Sequence, residues 1–414
     1  MSDTFHREWG RVVATLIHRT GDWDLAEECA QEAFAQAAHT WPRDGVPDRP
    51  GAWLMTVARN RAIDRLRRAA VEATKREEAA VLDDPHDQTS SGLNGDRGGV
   101  PDERLRLMFT CCHPALPPEA RVALTLRTLA GLTTAEIARA FLMPEATMAK
   151  RLVRAKHKIR DARIPYRVPP AHLLPERTHG VLTVVYLLFN EGYAASTGSD
   201  LVRVALCDEA IRLGRCLVEL MPEESEAAGL LALMLFQHSR RDARADETGD
   251  LMTLEDQDRS RWDREEIAEA TTILTGALTQ GRVGSYQVQA TIAECHATAS
   301  TASSTDWRRV ASLYGELARL APSPVVELNR AVAVAMTEGP AAGLAILAVL
   351  EATDDLKDYH LLPATHADLL RRLGHLEEAA AQYREGLSLA RTDADRRFLA
   401  RRLYQVTDRR ADTG

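Results

Sequence analysis

Residues 131–160 read GLTTAEIARAFLMPEATMAKRLVRAKHKIR, and their pattern predicts two short helices joined by a tight turn. In the second helix an apolar stripe recurs at helical spacing and consists of Met148, Leu152, Ala155 and Ile159. The opposite face is polar and almost entirely basic, with Thr147, Lys150, Arg151, Arg154 and Lys158. A helix with one apolar face and one cationic face suits insertion into the major groove of DNA. The stretch therefore predicts a DNA-binding helix-turn-helix.

The first helix of the pair supports this interpretation. Thr133 and Glu136 have the spacing of a capping box, and Pro144 fits the first turn of the second helix, where an N–H is not needed. The alternative is a solvated helix whose charged face happens to be basic. The capped helix and the short turn favour DNA binding over that alternative.

Composition limits the class of protein. The chain has 414 residues, so we expect more than one domain, and its low aromatic content of 5% with abundant Ala, Leu and Val points to helices. The net charge of −8 does not exclude nucleic-acid binding, because basic residues concentrate at 59–68 and 150–163. We find no apolar run that could span a bilayer and no signal-peptide pattern, so we expect a cytoplasmic protein.

The six cysteines do not suggest a metal or redox site. None forms a Cys-x-x-Cys pair, and the adjacent Cys111 and Cys112, followed by His113, would point to different sides of a helix or strand. We therefore expect reduced thiols in the core, no metal and no cofactor.

The chain is expected to be all-α and to have four parts. Residues 1–75 and 103–164 form two small helical domains, and the Gly-, Asp- and Ser-rich residues 76–102 form a flexible acidic linker. From 165 to 414, after a cluster of prolines, amphipathic helices follow one another. Gly339 and Gly374 begin two similar stretches thirty-five residues apart, which resembles a tetratricopeptide-like array; an irregular helical bundle is the alternative.

Residues 50–70 (PGAWLMTVARNRAIDRLRRAA) form a second informative helix. We expect one face to be buried, with Met55, Ala58, Ala62 and Leu66. The other face combines aromatic, amide and guanidinium groups, namely Trp53, Thr56, Asn60 and Arg67, with Arg59, Arg61 and Arg68 nearby. Such groups suit unpaired bases, which are bound by stacking, edge hydrogen bonds and phosphate attraction. For Trp53 alone, anchoring of the helix in a core is the alternative.

An acidic helix precedes it. Asp24 and Glu27 have capping-box spacing at the start of LAEECAQEAFAQAAHTW, and the outer face carries Glu28, Gln31 and Glu32 with Glu27 beside them. Because an acidic face repels DNA, this one implies a basic protein partner.

Together these motifs resemble a known family. AEECAQEAFAQAAHTW and WLMTVARNRAIDRLRR are similar to the second conserved region of sigma-70 factors, and residues 131–160 are similar to the fourth. Two such regions without a third domain between them resemble the extracytoplasmic-function sigma factors. The helical tail resembles that of a subgroup with a C-terminal tetratricopeptide-like extension. The sigma resemblance covers roughly the first 165 residues.

The resemblance implies roles for individual residues. The polymerase-docking residues, on the clamp of the largest subunit, would be Glu27, Glu28, Gln31 and Glu32. The melted minus-10 element would face Trp53, Thr56, Arg59, Asn60 and Arg67. The minus-35 element would face Thr147, Lys150, Arg151, Arg154 and Lys158. The chain departs from the family in having Leu142-Met143 where a glycine is usual and Ala149 where a basic residue is common.

The leading hypothesis is a non-enzymatic promoter-specificity subunit that binds core RNA polymerase and promoter DNA and helps to melt it, regulated by its C-terminal domain. The main alternative is a stand-alone helix-turn-helix regulator with a ligand- or protein-binding helical domain. A third makes the tail an enzyme or receptor, from its polar residues Asn190, Glu191, Tyr193, Asp256, Asp258, Arg259, Arg261, Trp262, Tyr286, Gln287, Gln289 and His296. Buried, hydrogen-bonded polar residues are the favoured explanation, and we reject an enzyme because no nucleophile–base arrangement or metal-ligand spacing stands out. For the tail we expect a protein partner.

Overall fold

The computed structural model describes residues 2–80, 103–141, 143–193, 204–246, 250–281, 283–353, 355–390 and 392–411. Over these residues the predicted all-α fold is confirmed, and the only β-type pairing there is an isolated antiparallel bridge between Ala245 and Leu251. The chain divides into two compact units, Met1–Val184 and Val185–Gly414. No described helix is long and apolar enough to cross a membrane.

The first unit opens with three helices, α1 (Ser2–Thr20), α2 (Trp23–Asp44) and α3 (Pro50–Ala80). Their core includes Trp9 and Phe34, whose ring centroids are 5.8 Å apart. The predicted cap at Asp24 was wrong. The side chain of Asp22 accepts hydrogen bonds from the backbone N–H groups of Asp24 and Leu25, so the helix begins one residue after Asp22.

Helix α3 differs from its prediction in two ways. Its buried residues are Leu54, Ala58 and Ala62, whereas the predicted Met55 is only half-buried. The predicted Leu66 is 46% exposed, because the helix runs on past the core. It also continues to Ala80, so the first five residues of the predicted linker are helical. Residues 81–102 lie outside the described part of the chain, and the flexible linker stays a prediction.

The predicted helix-turn-helix is present. After α4 (Glu103–Cys111), α5 (Pro118–Thr125) and a π-helical turn (Leu126–Ala130) come α6 (Thr134–Ala140) and α7 (Glu145–Asp161). The capping box of Thr133 and Glu136 is formed, and the apolar stripe of α7 is buried throughout. Pro144 is the N-cap of α7 and not a residue of its first turn. Leu142, in the turn, lies outside the described residues.

Helix α1 joins the two halves of the first unit. A Cβ atom on Gly10 would lie 2.9 Å from the carbonyl oxygen of Leu129, so only glycine allows the helix to come this close. The Tyr166 hydroxyl donates to the carbonyl oxygen of Ala14 at 2.8 Å and also lies 3.3 Å from that of Glu103. Residues after 164 thus pack within the first unit, and the change of unit comes twenty residues after the predicted boundary.

The second unit is a succession of helices. The last residues of helix α8 (Leu174–Tyr193) belong to this unit. The helices that follow α8 are α9 (Val204–Leu220), α10 (Ser225–His238), α11 (Arg264–Thr279), α12 (Ser285–Ala297), α13 (Trp307–Leu320), α14 (Pro324–Glu338), α15 (Pro340–Glu351), α16 (Leu361–Leu373), α17 (Leu376–Leu389) and α18 (Asp393–Ala411). Gly339 and Gly374 separate α14 from α15 and α16 from α17, with φ values of +99° and +84°. Positive φ is accessible to glycine at little cost, which explains the repeated glycine between paired helices.

Candidate nucleic-acid interface

The basic face of α7 is available to a ligand. Thr147, Lys150, Arg154 and Lys158 are exposed, and Arg151 is half-buried. Within the described residues, none of these four cations forms an ion pair with an acid. Because their charge is not neutralised within the unit, the face retains the positive potential that phosphate binding requires.

The predicted base-contacting face of α3 is also on the surface. Arg59, Asn60 and Arg67 are exposed, and the Thr56 hydroxyl donates to the carbonyl oxygen of Ala52 at 2.9 Å. Trp53 is half-buried and meets Trp41 edge to face, with ring centroids 5.5 Å apart. Trp53 therefore anchors α3 to α2 and still presents part of its ring beside Thr56 and Asn60. The core interpretation and the base-stacking interpretation are compatible for this residue.

The acidic residues of α2 fall into two groups. Glu28 and Glu32 are substantially exposed, both accept hydrogen bonds from Arg65 of α3, and Glu32 also lies 3.7 Å from Arg61. Gln31 is exposed between them. Because exposed ion pairs are weak, a basic partner can replace Arg65 at little cost. These three residues form a surface that a basic protein can reach.

Glu27 belongs to the other group, because it is buried against the helix-turn-helix half of the unit. Its Oε1 atom lies 2.9 Å from Nζ of Lys156 on α7, and its Oε2 atom accepts a hydrogen bond of 2.9 Å from Nε of Arg127 in the π-helical turn. Lys156 also reaches Asp24 at 2.7 Å. The three side chains of the Glu27 cluster, Glu27, Lys156 and Arg127, are only 6%, 10% and 14% exposed. The sequence prediction missed Lys156 and Arg127, since no local pattern links them to Glu27.

Family models match both halves of the first unit. Sigma-70 region 2 matches residues 5–71, and Sigma-70, region 4 matches residues 106–159. The first match contains the α2 and α3 faces, and the second contains the helix-turn-helix. A family of unknown function (DUF6596) matches residues 177–278, in the first part of the helical tail.

Curated relatives agree with these matches. The ECF RNA polymerase sigma factor SigK of Mycobacterium ulcerans is 30% identical over 155 residues, which are 37% of this chain and 75% of that protein. The chain belongs to the ECF family of RNA polymerase sigma factors. The probable ECF RNA polymerase sigma factor SigI of Mycobacterium tuberculosis is 28% identical over 182 residues, 44% of this chain and 59% of SigI. An uncharacterized protein of Rhizobium meliloti is 43% identical over 95% of this chain and 92% of its own length, so it shares the tail as well.

The cysteines of this sigma factor are core residues. The sulfur of Cys111 lies 3.3 Å from the Thr128 hydroxyl oxygen, and that of Cys112 lies 3.7 Å from the Thr125 hydroxyl oxygen. Burial raises the pKa of Cys112 to about 11 and that of Cys111 well above its ordinary value. At neutral pH both are protonated thiols, the form that neither binds metals nor attacks disulfides.

The polar residues singled out in the tail are mostly structural. Asp263 caps α11, and Asp258 caps the turn before it. The Gln287 amide donates to the Ser225 hydroxyl at 3.0 Å, and the Tyr186 hydroxyl donates to the Gln289 side-chain oxygen at 3.3 Å. His296 differs from these, because its buried Nδ1 atom has no hydrogen-bond partner among the described residues. Burial, with the positive charges of Arg240 and Arg259, lowers the pKa of His296 to about 4, so its imidazole is neutral at pH 7.

Proposed function

We propose that this sigma factor directs core RNA polymerase to promoters by means of two separate nucleic-acid faces. The basic face of α7 reads the minus-35 element as duplex, and the exposed face of α3 binds the melted minus-10 strand and so assists melting. The observation that carries this proposal is the presence of two faces in one unit. The cations on the face of α7 form no ion pairs among the described residues, and Arg59, Asn60 and Arg67 are exposed on the face of α3. A stand-alone regulator needs the first face but has no use for the second.

The polymerase-docking role belongs to Glu28, Gln31 and Glu32 in this arrangement. Their exposure supports it, and basic residues on the polymerase clamp would take the place of Arg65 as partners of the two glutamates. Glu27 has the same sequence signature but is enclosed by Lys156 and Arg127. If Glu27 also docks, α2 must first separate from α7. The first unit would then have two forms. In the closed form Glu27 pairs with Lys156 and Arg127, and in the open form, which polymerase binding stabilises, α2 and α7 are separated.

The proposed role involves no catalysis by this chain, because a specificity subunit works by binding and positioning. A sigma factor works where bacterial DNA and RNA polymerase are, so cytoplasmic action follows from it. We also assign a regulatory role to the tail. Its support is the succession of helices in the second unit, because helical repeat arrays bind proteins or peptides on extended surfaces. Run-off transcription by the full chain and by a chain ending at Tyr193, at matched folded concentrations, tests that role; unchanged promoter choice and activity would contradict it.

Binding measurements separate the sigma-factor function from a stand-alone regulator. The free protein is expected to bind duplex promoter DNA weakly and with strong salt dependence, because α7 supplies few phosphate contacts in a chain of net charge −8. Affinity is expected to rise when core polymerase is present. Gel-shift titrations with and without polymerase measure both quantities. Tight, sequence-specific binding by the free protein would contradict the sigma-factor mechanism.

A further inference from the structure

An acidic segment of the second unit runs between α10 and α11. Residues 245–258, here called the acidic arm, read ADETGDLMTLEDQD and contain six acidic residues and no lysine or arginine. The arm begins as a small turn, in which the Met252 N–H donates to the carbonyl oxygen of Arg244 at 2.9 Å and the Asp246 N–H donates to that of Asp250 at 3.0 Å. The described residues of the arm, 245–246 and 250–258, thus have a defined backbone, and the sequence of the arm contains an unusual concentration of negative charge.

Both ends of the acidic arm are fixed by buried arginines. The guanidinium of Arg244 lies 3.6 Å from the centre of the Tyr193 ring and donates to the Tyr193 carbonyl oxygen. Arg259 donates to the carbonyl oxygens of His296 and Ala299 at 2.7 and 2.8 Å. Each arginine is only 9% exposed. The two ends of the arm are therefore held in place by buried contacts of the second unit.

The middle of the arm is held differently, by ion pairs to arginines of α16 and α18. Asp250 lies 2.5 Å from Nε of Arg397, Glu255 lies 3.1 Å from Nη2 of Arg372, and Asp256 lies 3.6 Å from Nη2 of Arg402. Arg401 donates to the Leu251 carbonyl oxygen at 3.0 Å. The Glu255 and Asp256 side chains are 47% and 53% exposed. Asp250 is less exposed, at 22%. The pairs of Glu255 and Asp256 are exposed, and such pairs contribute little each and are screened by salt, so this part of the arm is easily released.

Beneath the arm is a cavity of about 370 Å³ that the arm does not fill. Its walls come from α12, α13, α14, α16, α17 and α18, and its aromatic lining consists of Trp307, Tyr314, Tyr383 and Phe398, with Leu254 of the arm on the other side. Two polar groups of the lining, the exposed Asn329 amide and Nδ1 of His296, have no hydrogen-bond partner among the described residues. A cavity of this size and lining suits a bulky apolar or aromatic group with a few polar contacts.

We propose that the groove between α14, α16 and α18 binds an acidic peptide segment of a partner protein, and that the acidic arm occupies this groove in the partner's absence. The partner segment carries carboxylates for Arg372, Arg397 and Arg402. It also carries an aromatic side chain, larger than Leu254, for the cavity. The charge of the groove selects the acidic segment, and the unfilled cavity gives that segment an advantage over the arm. This inference does not depend on the sigma-factor function.

The test uses the full chain and a fluorescent peptide with the arm's own sequence, ADETGDLMTLEDQD, together with the same peptide carrying tryptophan in place of the leucine that corresponds to Leu254. In the arm-release variant, Asp250→Asn, Glu255→Gln and Asp256→Asn remove the ion pairs and leave the anchors intact. We expect this variant to bind the tryptophan peptide at least ten-fold more tightly than the wild type does. The leucine peptide is expected to bind more weakly than the tryptophan peptide.

The matched control adds Arg372→Gln and Arg402→Gln to the arm-release variant, and binding is expected to fall at least ten-fold. A scrambled peptide of the same charge measures attraction to the basic helix α7. Equal binding by all three proteins, or equal binding of the scrambled peptide, would overturn the proposal. Hydrogen exchange on the wild-type chain gives a second measurement that needs no variant. The Met252 amide is expected to exchange faster with saturating tryptophan peptide, and unchanged exchange would overturn the proposal as well.

Discussion

Nζ of Lys156, on the helix that carries the proposed minus-35 face, lies 2.9 Å from Oε1 of Glu27, on the helix that carries the proposed polymerase-docking face. Arg127 lies on the other side of the same carboxylate, 2.9 Å away. The two halves of the sigma module are thus joined through a buried charge cluster. Breaking a buried pair by removing one partner is costly, because the other charge is left without compensation.

Glu27→Gln is expected to open the first unit. It removes the carboxylate that lies between Lys156 and Arg127 and leaves Asp24 as the remaining acidic partner of Lys156, at a cost of about 3–5 kcal/mol, and separation of α2 from α7 relieves that cost. Fluorophores attached at the exposed positions Ala38 and His157 report the separation. The control is Glu119→Gln on the exposed surface of α5. An unchanged distance distribution in the Glu27 variant would show that the cluster does not hold the closed form.

Glu28→Lys combined with Glu32→Lys is expected to weaken binding to core polymerase at least ten-fold, because it inverts the charge of the docking face. Since Arg65 pairs with both glutamates, Arg65→Ala alone should leave binding unchanged or slightly stronger. Pull-down titrations with core polymerase measure both. An equal loss of polymerase binding in the Arg65 variant would contradict the docking role of the two glutamates. It would show that the double variant loses binding because the contact between α2 and α3 is disrupted.

Arg151→Ala and Arg154→Ala are each expected to lower transcription from a promoter with an intact minus-35 element. A bidentate contact between arginine and a base is worth about 1–3 kcal/mol, which corresponds to roughly 5- to 150-fold. Polymerase binding should not change. Arg160→Ala, at an exposed position of the same helix outside the predicted contacts, is the control. A polymerase-binding defect in either variant would contradict the division of roles between α2 and α7.

The stability of the second unit is expected to fall as the pH decreases from 6.5 towards 4. His296 has a pKa of about 4 in the folded chain against an ordinary value of 6.5, so in this interval the unfolded chain binds a proton that the folded chain does not. At pH 5 the loss relative to pH 7 should be about 2 kcal/mol. Urea midpoints at pH 7 and pH 5 measure it. His296→Gln should show a smaller shift, and an equal shift in both proteins would contradict this source of acid sensitivity.

Local patterns predicted the helices well, because the signals involved lie within a few residues. The apolar stripe of α7, the capping box at Thr133 and the glycine turns at Gly339 and Gly374 are of this kind. The cap of α2 was misplaced because Asp22 and Asp24 both lie near the helix start, and only hydrogen bonds distinguish them. Leu66 continues the spacing of the buried residues of α3, but it lies beyond the part of α3 that packs against the core, so it is exposed.

Long-range pairings were not predictable in the same way. Lys156 follows Asp24 by 132 residues, and Arg397 follows Asp250 by 147. Nothing in the spacing of either lysine or arginine indicates its partner. Glu27 therefore looked equivalent to Glu28 and Glu32 in the sequence, although its burial gives it a different role. Likewise, no sequence pattern indicates that the acidic arm pairs with arginines of α16 and α18.

The most direct test of the sigma-factor function is transcription reconstituted from purified core polymerase, this chain and fragmented genomic DNA, with the 5′ ends of the transcripts mapped. The expected result is a set of start sites that depends on the chain and shares minus-35 and minus-10 elements upstream. These start sites should disappear when Asn60→Ala and Arg154→Ala are combined, while the protein still binds polymerase. Start sites that are the same with and without the chain would contradict the function.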